Sequence, residues 1–414
     1  MVSIRPVTRA LVPVSSDAAQ RVSAPNYDEF QSDKEIWDLL QQRPENILRV
    51  KMPHCHVAKA EEIYAEDDAR AMPHAAEQWK WLREASGLVR EIPNLLWVYQ
   101  IVSPKRPHVP QMGLGGYGKT AEIRTDKTPN GVVIRNEGIR QEKAEGRAKL
   151  IRTIKSYIGT VNLAVQDKSG DLLKSLEGYA AARPCDYEAT DEAGNIHRVW
   201  LVTKSDEIQT FTDLLAKEPA AYVADGNHRS AAAASLGYEN FLTVFFPTGR
   251  LGLEPYNRLL PGCGLSTADL LKKLEKSFTV AKLGPLPSYR PDKVNVVGLY
   301  VDGEWYRLEP KAGVFDPKDA VQTIDSDMIQ RLIIDDVLGI QDGRDKRLNY
   351  VGGNKDSVYL KQRVDAGEYK FALSVAPVTM DQFVAVCEQN KFMPPKSTWF
   401  DPKIRSGLVM ALLD

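Results

Sequence analysis

Five consecutive residues, Asp225, Gly226, Asn227, His228 and Arg229, place a carboxylate, an amide, an imidazole and a guanidinium around one glycine. They lie between the apolar run AAYVA and the small-residue run SAAAASL, which Gly237 closes, and the apolar run FLTVFF follows. This order predicts a buried strand, a tight turn, a short helix and a second strand. Backbone N–H groups and the positive dipole end at such a helix start favour an anion, and Gly226 lets the backbone approach it. Arg229 offers a two-pronged grip on phosphate oxygens and His228 a further donor. Gly226, Asn227, Arg229 and Ser230 are the phosphate-binding candidates, with Asp225 and His228 as the catalytic ones. The competing reading is an ordinary cap, in which Asp225 or Asn227 closes the helix start and Arg229 is solvated. The residues alone leave both open.

A second cluster, RNEGIRQEKAEGR, starts on a strand-to-helix junction and holds Glu137, Arg140, Lys143, Glu145 and Arg147. A carboxylate at a helix start beside several cations stays ionised, so Glu137 suits a general base toward a hydroxyl or a magnesium ligand. Lys143 and Arg147 join the phosphate-binding candidates. The bland alternative is a solvated helix laced with charge pairs four residues apart.

GLGGYGKT, Gly113 to Thr120, matches a nucleotide P-loop letter for letter. Such a loop must leave a buried strand and enter a helix. Here PKRPHVPQM precedes it with three prolines, and Pro129 soon ends any helix after it. The context argues against a P-loop. His54, Cys55 and His56 suggest a metal, yet no second cluster stands at ligand spacing, so structural or surface roles are expected. SAPNYD reads as a turn.

These candidates sit in an α+β pattern. SDKEIWDLLQQ and the stretch around HAAEQWKWLREASG read as helices, LLWVYQIV as a buried strand. After Pro261 come the helix TADLLKKLEKSF, the strands NVVGLYV and EWYRLEP around the Asp302–Gly303 turn, and the helix SDMIQRLIIDDVLG. A boundary near Pro261 divides residues 1–260 from residues 261–414. The 414 residues, 43% of them hydrophobic, suffice for two or three cores. Fifty-four basic against fifty-five acidic residues give a net charge of -1, which disfavours nucleic acid as a partner. No run reaches the roughly 18 apolar residues of a membrane span, and the start lacks a signal-peptide core, so a cytoplasmic protein is expected. Four scattered cysteines argue against a disulfide framework.

Together the segments resemble a family catalogued as domain of unknown function 1015, similar to the free L-serine kinases and sharing their ParB/sulfiredoxin-like core. Its phosphate turn reads DGHHR before small residues, and here stands DGNHRSAAAA. SAPNYDEF resembles the family's APPYD segment, RPENILRV its NP-x-x-FLHV stretch, RNEGIRQEKAEGR its KHE-x-T-x-x-x-KE-x-DR helix, EPYNRLL a PxHR element, and RSGLVMALL the closing sequence. The departures are Asn227 for the first histidine of DGHHR, Arg135-Asn136 for the Lys-His before Glu137, Ile139 for threonine, Gly146 for aspartate and Asn257 for the PxHR histidine.

The resemblance implies an α+β protein with a ParB/sulfiredoxin-like mixed core and additional N- and C-terminal α+β elements. It implies a small-molecule kinase, transferring a phosphoryl group from ATP, ADP or pyrophosphate to free L-serine or a serine-like compound. Magnesium would be shared by Asp225 or Glu137, and Glu137 would take the hydroxyl proton. The rival expectation is a phosphate- or nucleotide-binding regulatory module that has lost the chemistry. Donor, acceptor and oligomeric state are open at this point.

Overall fold

The computed structural model describes residues 1–26, 29–343 and 345–413. It is a mixed α+β protein, and its chain divides into two compact units. The first comprises Met1–Ile134, Ile139–Leu251 and Pro402–Asp414; the second comprises Arg135–Gly138 and Gly252–Asp401.

The first unit is built on an eleven-stranded sheet, counted among the described residues. Its middle runs Ala221–Asp225, Val161–Val165, Asn240–Pro247, Gln111–Lys119, Val89–Val102 and Val7–Pro13. Only the Val161–Val165 and Asn240–Pro247 neighbours are parallel within this run. The C-terminal strand Met410–Leu412 joins Val7–Pro13, Ala411 opposite Ala10.

The expected strand LLWVYQIV is the buried half of Val89–Val102, where Leu95 to Tyr99 are buried. Gly113 to Lys119, by contrast, lie inside the central strand Gln111–Lys119, not in a loop. Gly115 stands opposite Trp97 in the ladder, and a Cβ on it would fall 1.8 Å from the Trp97 ring. Gly113 faces Val244 and Phe246 and Gly118 faces Phe241 in the same way. These glycines make room for large side chains of the two flanking strands, so the stretch cannot wrap a phosphate. The structure therefore agrees with the context argument against a P-loop and supplies a packing reason for the glycines.

Three helices cover part of this unit. Asp33–Gln42, Ala71–Glu84 and Gln141–Ile154 share a core of Ile36, Leu40, Trp79, Leu82, Leu150 and Ile154. Ser32 caps the first, accepting from the Glu35 N–H. The helix Asn227–Leu236 buries Ser230, Ala231, Ala232 and Ala233, small side chains that let it pack closely. Gly237, with φ of 76°, closes it as expected.

Among its described residues the second unit has a six-stranded antiparallel sheet ordered Phe278–Gly284, Glu304–Pro310, Val297–Val301, Phe371–Val375, Asn257–Leu260 and Asn349–Val351. Asp302 and Gly303, both with positive φ, form the two-residue hairpin turn expected there. The helix anticipated at SDMIQRLIIDDVLG begins as Asp325–Ile329 and widens into a π-helical stretch, Gln330–Asp335. Among the described residues no helix is long and apolar enough to cross a membrane.

Candidate functional site

The strand Ala221–Asp225 ends on Asp225 and the helix Asn227–Leu236 begins two residues later, so Gly226 alone makes the corner. Its φ of 105° lies where L side chains are disfavoured. A Cβ there would also stand 2.9 Å from the Nε of Arg229. Gly226 is thus required twice, for the backbone angle and for the space the guanidinium fills. The strand pairing shifts register beside Asn162, the residue opposite Asp225, which turns the strand end out of the regular ladder.

The cap position is Gly226, which has no side chain to close the helix start, so neither Asp225 nor Asn227 is its cap residue. Asp225 turns instead to Arg229, whose Nη2 donates to Oδ2 at 2.9 Å, with both side chains about four-fifths buried. Asn26 completes the triangle. Its Nδ2 donates to Asp225 Oδ2 at 3.2 Å and to the Ile404 carbonyl at 3.3 Å, and its Oδ1 accepts from Arg229 Nη1 at 3.4 Å. Asn26 belongs to SAPNYD, which the sequence offers only as a turn; Tyr27 and Asp28 of that segment lie outside the described residues.

A second cation stands close by. Lys51 is buried, and its Nζ donates to Ser406 Oγ at 2.7 Å. Ser406 Oγ and Arg229 Nη1 lie 3.6 and 3.7 Å from the point where a Cβ on Gly159 would be. Arg229, paired with Asp225, and Lys51, bonded to Ser406, are thus two cations on either side of Gly159 near the helix start. Cations beside a helix start suit an anion of the phosphate class. Asn26, Lys51 and Ser406 were missed as site residues, although all three fall in segments that carry the family resemblance or stand next to one.

His228 Nε2 accepts the backbone N–H of Arg140 at 2.9 Å. The neutral ring then carries its proton on Nδ1, so only Nδ1–H remains as the donor expected of this residue. Ser230 departs from the phosphate-binding expectation: it is fully buried, and its hydroxyl donates to the Asn227 carbonyl at 2.9 Å inside the helix. Lys143 Nζ is 2.9 Å from Glu66 Oε2. Burial pushes the Glu66 carboxyl up, but the Lys143 hydrogen bond and the charges of Lys143, Arg147 and His54 outweigh it and hold the group below its ordinary range. Lys143 and Arg147 thus serve first as partners of Glu66, on a helix packed against Asn227–Leu236.

In the second unit, the Arg135-Asn136-Glu137 stretch is tied to the segment around Met393. The Met393 N–H donates to the Asn136 carbonyl at 2.9 Å, and Glu137 forms an isolated parallel bridge with Met393. The charge of Glu137 acts on Arg258, a buried guanidinium that donates to the Tyr256 carbonyl at 2.6 Å and lies over the Tyr350 ring. Burial pushes Arg258 down to about 10, opposed by Tyr350, Tyr256 and Glu137, so it stays charged at neutral pH. Asn257, which replaces the family's histidine, accepts the Val375 N–H at 3.1 Å within the sheet.

A magnesium ion arriving with phosphates needs only one or two protein carboxylates. Asp225 offers one at the turn, with its Oδ2 already engaged by Arg229 and Asn26. Among the described residues no group of three His, Cys, Asp or Glu ligand atoms gathers around it.

The family model described as protein of unknown function (DUF1015) matches residues 4–332. The chain belongs to this family. No protein of curated function matches this DUF1015 chain. Among solved structures, it is similar to a free serine kinase in complex with AMP, at 9% identity and a TM-score of 0.39, over 69% of this chain and 86% of that one. It is also similar to a conserved hypothetical protein from Pyrococcus furiosus, at 10% identity and 0.36, over 70% and 93%. SbnI with a C-terminal truncation from Staphylococcus aureus is similar at 8% and 0.38, over 69% and 82%.

Proposed function

We propose that this DUF1015 protein is a cytoplasmic small-molecule kinase that moves a phosphoryl group from ATP, ADP or pyrophosphate to the hydroxyl of free L-serine or a serine-like compound. The observation that carries the reading is the corner at Gly226, where a helix start meets the Asp225–Arg229 pair, with Lys51 and Ser406 on the other side of Gly159. Phosphoryl transfer asks mainly for positioning and charge neutralisation, and this corner supplies both kinds of group. Arg229 and the turn amides hold the donor phosphate, and Asn26 and Asp225 fix the plane of the guanidinium. When bound, magnesium supplies further neutralisation of the phosphate charge, with Asp225 as its protein carboxylate.

Glu137 enters as the acceptor base on the family resemblance. Its conversion to Gln is expected to lower turnover about a hundredfold to ten-thousandfold with the fold intact. Unchanged turnover in that variant would remove Glu137 from the mechanism.

The test is phosphorus NMR of the purified protein with magnesium and L-serine, run separately with ATP, ADP and pyrophosphate. A phosphoserine resonance in one sample identifies reaction, donor and acceptor together. Donor binding without turnover across a panel of hydroxy amino acids would favour a regulatory phosphate-binding module, the reading to which the substitutions Asn227, Ile139 and Gly146 point.

A further inference from the structure

Away from the turn, the first unit brings three ligand-type side chains together from two separate segments. Asp33 opens the helix Asp33–Gln42, and His54 and Cys55 lie in the 3-10 turn Pro53–Cys55. Their ligand atoms, a carboxylate oxygen, an imidazole nitrogen and the thiol sulfur, all lie within 4.8 Å of one another. The sequence shows only the His-Cys-His triplet at 54–56, and the missing partner, Asp33, stands well upstream of it. His56, the other histidine of the triplet, is occupied elsewhere, its Nδ1 sharing a hydrogen bond with His74 Nε2 at 3.2 Å.

His54 is 1% exposed, and neither ring nitrogen has a hydrogen-bond partner. A buried imidazole in that condition has given up its water and received nothing in return, which is costly. The nearest acceptor, Asp33 Oδ2, is 3.5 Å from Nε2, too far for a good hydrogen bond. The same distance suits two ligands of one ion: with bonds of about 2.0 to 2.2 Å and a tetrahedral angle, nitrogen and oxygen stand roughly 3.4 Å apart. Cys55 is fully buried, while the Asp33 side chain is 53% exposed and gives an ion a way in from solvent.

We infer that Asp33, His54 and Cys55 form a binding site for a zinc ion, with a water molecule in the fourth position. The donor set is oxygen, nitrogen and sulfur, which suits zinc and excludes magnesium and calcium. A carboxylate, a thiolate and a neutral imidazole balance the two positive charges of the ion, so the loaded site is neutral in its buried setting. Binding releases the thiol proton to solvent. The ion would tie the first turn of the Asp33–Gln42 helix to the 53–55 turn, close to Glu66 and its partner Lys143.

The experiment uses the full chain, stripped of metal with a chelator and titrated with cobalt(II). Saturable, stoichiometric growth of a thiolate-to-cobalt charge-transfer band, bleached by added zinc, is the expected result. Cys55→Ser should lose the band and His54→Gln should weaken binding, with Glu66→Gln as the control that keeps both. A wild-type titration without the charge-transfer band overturns the proposal, and so does a band that survives in Cys55→Ser. The wild-type arm decides the matter even where a variant fails to fold. Zinc loading is also expected to raise the melting temperature, and chelation to lower it again.

Discussion

Gly115 and Gly226 both stand in glycine-bearing stretches that end on a cation, yet their surroundings demand glycine for different reasons. Gly115 sits mid-strand with ordinary extended backbone, and Trp97 occupies the place of its side chain, 1.8 Å from where a Cβ would be. Gly226 makes a corner with a φ of 105° and lets Arg229 fold back over it toward Asp225. The first glycine serves packing between neighbouring strands; the second aims functional groups at one point. Lys119 and Arg229, the cations that follow, differ accordingly: one ends a sheet strand, and the other is held by a carboxylate and a buried amide. A phosphate cradle is defined by the elements on either side of its glycine, not by its letters.

Replacing each glycine by alanine is the strongest way to break this contrast. Gly115→Ala drives a methyl into Trp97 and is expected to cost about 3 kcal/mol or more in a denaturant titration, with ligand affinity of the folded fraction unchanged. Gly226→Ala should cost less, about 1 to 3 kcal/mol of backbone strain, and should also lose phosphate binding because Arg229 is displaced. A Gly115→Ala protein that kept its stability but lost binding would show that the P-loop letters mattered after all.

The cations give the next largest effect. Arg229→Ala is expected to weaken pyrophosphate binding about tenfold to a hundredfold, as loss of a charged hydrogen-bonding group does, while Lys119→Ala leaves it unchanged. Isothermal titration of both variants measures this directly. Equal losses from the two would erase the distinction between the stretches.

Much of the fold is legible in the sequence where periodicity or turn chemistry is local. The unit from Ala221 to Pro247 follows its apolar runs, Gly237 closes its helix, and Asp302-Gly303 makes its hairpin. Gln111–Lys119 is not legible as a strand, because its glycines answer to Trp97, Phe241 and Phe246 on other strands. The site divides in the same way. Asp225, Gly226 and Arg229 are adjacent in sequence and could be found there. Asn26 reaches Asp225 across 199 residues and Lys51 reaches Ser406 across 355, and no local pattern announces either contact. Ser230 shows the opposite failure: its position suggests a ligand hydroxyl, but the alanine-rich face that packs the helix turns it inward.

Lys51 sharpens the comparison by asking whether the cradle extends beyond the turn itself. Its ammonium is buried, with Ser406 Oγ among its partners, and holding a charge there costs desolvation that its surroundings must offset. Lys51→Met keeps the length and apolar stem and removes the charge, so the folded protein should keep its melting temperature within a few degrees. If the ammonium is there for an anion at Arg229, pyrophosphate affinity should fall about threefold to tenfold, less than in Arg229→Ala because a guanidinium grips phosphate oxygens with two prongs and an ammonium acts as a point charge. Its salt dependence should weaken as well, since one fewer cation contributes to attraction. A variant with lowered stability and unaltered affinity would instead make Lys51 a structural partner of the C-terminal segment, and the cradle would shrink to Asp225, Arg229, Asn26 and the amides of the turn.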